Sequence, residues 1–130
     1  MRNPTASLAV SLVLMGVATG AAASPLAPAD NPAMLALASR SGCLTCHSVK
    51  SQPSADQTTK PIGPAWQSVA VKYKGQPDAA QKLLVTVMNG SNPYASHWSG
   101  KVSGLAMPPN QVAISSQDAQ QLVNWILSLD

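Results

Sequence analysis

A chain of 130 residues makes one small domain, and a composition that is 45% hydrophobic but only 4% aromatic, with no phenylalanine, leaves that domain little bulk for a core. Its net charge of +3 is too small and too scattered for a nucleic-acid binder, which would show a basic stripe. Apolar volume from outside the sequence is therefore expected.

The N-terminus has the pattern of a cleaved signal peptide. Arg2 supplies a positive end, Leu8 to Val17 is apolar, and Ala21-Ala22-Ala23 before Ser24 fits the small-x-small rule. An uncleaved anchor is the alternative, but Ala6 to Ala23 is rich in Ser, Thr and Gly. The expected organisation is a signal peptide over 1–23, a Pro/Ala linker over 24–31 and a domain over 32–130. Removing Arg2 with the leader leaves seven basic and five acidic residues, a net +2.

Within the domain, Asn31 and Pro32 read as the cap and first position of a helix that Gly42 stops just before Cys43. The polar stretch 48–63 reads as a long surface loop. Trp66, Val69, Ala70 and Tyr73 share one face of a second helix ended by Gly75. Pro77 is expected to open a third, with Asp78 in its first turn, Ala80, Leu83, Leu84 and Val87 on one side, and Asn89-Gly90 as its stop. Residues 91–114 show no period and read as loop. Ser115 and Asp118 resemble a capping box opening the last helix, where Ala119, Leu122, Val123, Ile126 and Leu129 form the buried stripe and Trp125 flanks it. No run alternates like a strand. The expectation is all-α, four short helices joined by long loops.

Both cysteines and a histidine stand together in Cys43-x-x-Cys46-His47. Two thiols at this spacing match the two vinyl groups of haem, and the imidazole that follows is carried under the iron, which is why the pattern marks c-type haem attachment. A thioredoxin-like pair needs a strand context that is missing. A structural zinc site wants four ligands, usually as two spaced pairs, and Cys43, Cys46 and one of His47 or His97 leave the set short or oddly arranged. A disulfide here would close a very short loop and stabilise little. Export agrees with haem attachment outside the cytoplasm, and a buried porphyrin would supply the missing apolar bulk.

With His47 on one face of the iron, the residue on the other face decides function. Met34 and Met88 fall within helices, where methionine usually fills gaps. Met107 lies in the Gly/Pro-rich "SGLAMPPNQV", and Pro108 and Pro109 stiffen the chain just after it. His97 is the rival ligand.

The blocks "GCLTCHSV", "IGPAW", "VMNGS", "AMPPN" and "LVNWILSL" occur in one order. Over about residues 32–130 the chain resembles the short bacterial class I cytochromes c, single-haem periplasmic electron carriers. The resemblance implies that fold, wrapped around one covalent haem c whose iron cycles between Fe2+ and Fe3+. It implies Cys43 and Cys46 as thioether attachments, His47 as proximal ligand and Met107 as distal ligand. The Pro64 carbonyl would accept the His47 ring N–H, Trp98 would bond a haem propionate, and Asn110 would lie near the Met107 sulfur. The position where relatives carry a propionate-binding Arg or Lys holds Thr86, with Lys82 about one turn away.

The expected function is a periplasmic one-electron shuttle, not an enzyme. A haem enzyme or gas sensor with an open iron face is the alternative. It would need distal acid–base groups, and after His47 only His97 remains, with no glutamate in the chain. Expected partners are redox proteins: an oxidase, a nitrite reductase or another periplasmic acceptor, and a membrane quinol-oxidising complex as donor. No nucleic acid is expected, and the protein is expected to be a monomer. Six lysines (Lys50, Lys60, Lys72, Lys74, Lys82, Lys101) are spread along the chain, so a weak field is expected. Docking would then fall to a small uncharged rim of Gly42, Leu44, Thr45, Leu105, Ala106, Pro108 and Pro109.

Overall fold

The computed structural model describes residues 29–51 and 59–129. The expected signal peptide, most of the linker and residues 52–58 lie outside the described residues. Asn31 caps α1 (Pro32–Arg40), its Oδ1 accepting the Met34 N–H at 3.2 Å, and Pro32 sits where a missing N–H loses no helical bond. Gly42, at φ +73°, turns the chain out of α1 into a single 3-10 turn over Cys43–Thr45. Three residues show no periodicity, so this turn is absent from the sequence reading.

α2 (Trp66–Tyr73) buries Trp66, Val69 and Ala70, the face expected from their spacing. α3 runs Ala79–Asn89. It opens two residues later than expected, because Pro77 and Asp78 lie in the preceding turn. Asp78 occupies the cap position but makes no side-chain cap bond. Its carboxylate pairs instead with Lys82 Nζ at 2.6 Å, an exposed contact of small energetic weight. Within the expected loop a second 3-10 turn spans Pro93–Ala95. α4 (Ser116–Leu127) starts behind Ser115, whose Oγ accepts the Asp118 N–H at 3.1 Å.

α4 is the packing centre, touching α1, α2 and α3. Its Ala119, Leu122, Trp125 and Ile126 close on Leu37 and Ala38 of α1 and on Trp66, Val69 and Ala70 of α2. Trp125 does not flank this stripe. It is 4% exposed and meets Trp66 edge to face with ring centroids 5.5 Å apart. A strict one-face pattern treats a bulky residue beside the stripe as peripheral, whereas an indole is wide enough to reach inward from there. The apolar side of α3 is less enclosed: Leu83, Leu84 and Val87 pack against the core yet remain half-buried. Among the described residues there is no strand, and no helix is long and apolar enough to cross a membrane.

Truncating the inner tryptophan tests this packing. Trp125→Ala should cost about 3–5 kcal/mol, the usual loss for a large core aromatic. The shift in denaturant midpoint of the haem-loaded protein measures it, and a loss below about 1 kcal/mol would return Trp125 to the periphery.

Candidate haem site

The half-buried side of α3 faces a cavity. Leu83 and Val87 of α3, Val69 of α2, and Leu122, Val123 and Ile126 of α4 form its apolar walls, and its free space, mouth included, is about 1080 Å³. Cys43, Cys46 and His47 enter from one side and Met107 from the segment that precedes α4. Pro64 and Trp98 also line it. Met34 and Met88 do not; both pack against the helical core.

His47 is held from behind. Its Nδ1 lies 2.8 Å from the Pro64 carbonyl oxygen. A carbonyl only accepts, so Nδ1 carries the proton and Nε2 keeps a free lone pair. The ring stacks on Trp66, centroids 5.9 Å apart and planes 21° apart, and Trp66 leads on to Trp125. Gly63 closes the other side: a Cβ there would stand 2.8 Å from His47 Cε1 and 2.9 Å from Nδ1. The Gly63 N–H donates to the Cys46 carbonyl at 2.8 Å. Burial pushes the His47 pKa below the ordinary imidazole range, against the upward pull of the Pro64 bond. The imidazole thus stands neutral and oriented, the form that binds a metal. Gly63 has no role in the sequence reading; its place in "IGPAW", next to the carbonyl that grips the ring, is the signal for it.

Both cysteines are free and half-buried. Burial raises the Cys43 pKa, and nearby Cys46 adds to the rise, so its sulfur is held as a neutral thiol. Among the described residues no three His, Cys, Asp or Glu side chains are placed to hold a metal ion.

The Met107 segment is stitched to both sides of the cavity. The Ser103 and Gly104 N–H groups donate to the Pro61 and Ile62 carbonyls at 2.8 and 3.0 Å. Further on, Met107 exchanges two hydrogen bonds with Ser91, just past the end of α3. Asn110 does not line the cavity. Its Nδ2 donates to the Val87 and Pro108 carbonyls at 3.2 and 2.7 Å, and its N–H reaches Val87 O at 3.1 Å, so its amide clips the segment to α3.

Thr86 lines the cavity, while Lys82 is engaged by Asp78. His97 is exposed and outside the cavity. It packs edge to face on Trp98 at 4.9 Å, and its Nε2 lies 3.3 Å from Lys101 Nζ, which also sits 5.7 Å over the Trp98 ring. Desolvation, then the charges of Lys101 and Lys72, hold His97 below the ordinary imidazole range. Lys60 and Lys101 line one groove beside Trp98. Three lysines distant in sequence, Lys60, Lys72 and Lys101, therefore approach one flank around His97 and Trp98, where linear spacing suggests lysines spread along the chain. Linear spacing does not show it, because α2 and the residues around 60 and 100 meet only in the fold.

A rigid, flat, mostly apolar group with a metal at its centre fits this donor set: two free cysteines at the wall, an imidazole with Nε2 free, a thioether, and otherwise mostly apolar lining. Packed interiors seldom contain voids much larger than a water, so an apolar cavity of this size suits a large apolar guest. The cytochrome c family profile matches residues 36–130. Cytochrome c-551 of Pseudomonas aeruginosa is 35% identical over 112 residues, 86% of this chain and 89% of that protein. Cytochrome c-551 of Allochromatium vinosum is 38% identical over 111 residues, 85% and 97% of the two chains. The crystal structure of wild-type Nitrosomonas europaea cytochrome c552 superposes with a TM-score of 0.55 at 35% identity, covering 74% of this chain and 99% of that one. A cavity built for a flat apolar guest, in an all-α frame shared with these proteins, makes the chain a member of the cytochrome c family: a small class I c-type cytochrome that transfers electrons with one covalently attached haem c.

Proposed function

We propose that the domain over 32–130 is a periplasmic one-electron shuttle without enzymatic activity, exported by the cleaved leader 1–23 and joined to it by the linker 24–31. The observation that carries the reading is the meeting of His47 and Met107 in one apolar cavity while His97 stays outside it. Cys43 and Cys46 would attach the haem covalently through thioethers, and His47 Nε2 and Met107 Sδ would be its iron ligands. Haem c so held supplies an Fe2+/Fe3+ couple. The Pro64 carbonyl keeps the imidazole electron-rich and unable to rotate. Trp98 is the side chain offered to a propionate, and Asn110 acts on Met107 through the backbone it clips. A closed iron suits a carrier, because ligands that stay bound in both oxidation states keep reorganisation small. The haem enzyme or sensor is disfavoured, since among the described residues no acid–base side chain lines the cavity apart from His47 and the two cysteines.

Leu44 is 39% exposed and Leu105 79% exposed, which leaves an uncharged rim for brief contact with redox proteins. An oxidase, a nitrite reductase or a similar acceptor and a membrane quinol-oxidising donor are the partner classes, met by a monomer. Lys72 and Lys101 lie beside His97 and Trp98 and add a secondary steering term.

Replacing Cys43 and Cys46 together by Ala should abolish covalent haem and leave an apo-chain that is largely unfolded, because its core lacks its largest apolar group. Loss of covalent haem on a denaturing gel and loss of helical circular dichroism measure it; a cooperative melt of a helical apo-protein would contradict it. Met107→Ala should lower the reduction potential and let the reduced protein bind carbon monoxide, which the parent excludes at neutral pH, while Met88→Leu should change neither. A Met107→Ala protein that still excludes carbon monoxide would remove Met107 from the iron. Electron transfer to the acceptor should fall only modestly between low salt and about 0.15 M, where charges are screened over roughly 8 Å. Leu44→Lys or Ala106→Lys should slow it more than neutralising any one lysine. A hundredfold loss with salt would move docking onto the basic flank.

A further inference from the structure

The segment that carries Met107 begins where Gly104 binds the Ile62 carbonyl and ends where Asn110 binds Val87. Between these points Pro108 and Pro109 have no N–H to give. Among the described residues, the main chain of 105–109 is held at two places: Asn110 Nδ2 donates to the Pro108 carbonyl at 2.7 Å, and Ser91, from just past α3, holds Met107 itself. The Ser91 N–H donates to the Met107 carbonyl at 2.9 Å, and Ser91 Oγ accepts the Met107 N–H at 2.8 Å.

The sequence allows this double contact for three local reasons. Pro108 disfavours helical backbone at Met107 and pushes it toward extended geometry. In an extended residue N–H and C=O point to the same side, so one partner residue can take both. Gly90 lets that partner approach: at φ +83° it has no Cβ, and a Cβ would stand 2.9 Å from the Met107 carbonyl and 3.1 Å from Pro109 Cδ. The Asn89-Gly90 helix stop thus also delivers the next residue to the methionine.

We propose that Ser91 is the positioning residue for Met107, and that its hydroxyl, by holding the Met107 N–H, sets how well the thioether competes with outside ligands for the iron. The proposal rests on the reading of Met107 as distal ligand. A thioether is a weak donor on a side chain with three rotatable bonds, so it stays in place only if its backbone does. A swing of the Met107 main chain away from Ser91, which would carry the sulfur off the iron, breaks both bonds together. Without the hydroxyl the half-buried Met107 N–H loses its acceptor, the bound arrangement rises in energy, and the displaced arrangement, where water reaches that N–H, does not.

Four forms of the haem-loaded protein test this: the parent, Ser91→Ala, and the isosteric pair Ser91→Thr and Ser91→Val, which differ only in the hydroxyl. Each ferric protein is titrated with imidazole, and displacement is followed by bleaching of the far-red charge-transfer band of the thioether–iron bond. Ser91→Ala and Ser91→Val should bind imidazole about tenfold more tightly than the parent, and Ser91→Thr within about twofold of it. Denaturant midpoints of the same four proteins separate positioning from general support: a residue that merely supports the fold would lower the midpoint and leave imidazole affinity alone. Parent-like affinity in both Ala and Val variants, or Thr behaving like Val, would overturn the proposal. A parent that lacks the band, or that binds imidazole as freely as Met107→Ala, would overturn the Met107 reading and this proposal with it.

Discussion

A carbonyl oxygen can accept a proton but never give one, so the 2.8 Å contact between Pro64 O and His47 Nδ1 decides which imidazole nitrogen faces the cavity. Much of the site depends on that bond. It requires the chain at 61–64 to lie against the ring, and Gly63 is the residue whose missing Cβ permits it. The same stretch then offers the Pro61 and Ile62 carbonyls to Ser103 and Gly104, at the start of the Met107 segment. Here too the approach is close, since a Cβ on Gly104 would come within 2.5 Å of Ile62 O. His47 and Met107 are thus linked through one hydrogen-bonded rim, although they are sixty residues apart in sequence.

The helical core serves this rim from beneath. Trp66 stacks on His47 and meets Trp125 of α4 at its edge, so the His47 ring rests on two indoles of the interior. α4 also contributes Leu122, Val123 and Ile126 to the cavity wall. One helix face therefore packs the protein and lines the cofactor space. A composition with few aromatics is adequate because two of its three tryptophans are spent on this contact and the haem supplies the remaining bulk.

The helices were legible because each has an apolar period and chemical punctuation: Asn31-Pro32, Gly42, Gly75, Asn89-Gly90 and Ser115 all stand at or next to boundaries. The C-x-x-C-H block was legible because its chemistry is local. What escaped depends on partners distant in the chain. Trp125 looked peripheral because Trp66, its neighbour, belongs to another helix. The bonds of the Asn110 amide to the Val87 and Pro108 carbonyls depend on where the end of α3 lies, which the linear sequence does not show. Ser91 and Gly63 carry no motif of their own and matter only through what they approach. The basic flank exists because α2 and the residues around 60 and 100 converge. Pro77 and Asp78 misplaced the start of α3, since an acidic residue suits a turn before a helix as well as its first turn.

The central claim is that Met107, and no other methionine, faces His47 across the haem iron. Proton NMR of the ferrous protein labelled with methyl-13C methionine tests it directly, because a methyl bound over the porphyrin face is driven far upfield by the ring current. One methionine methyl should appear there and be assigned to Met107, with Met34 and Met88 in the ordinary aliphatic range. An upfield methyl belonging to Met34 or Met88, or none shifted at all, would contradict the account.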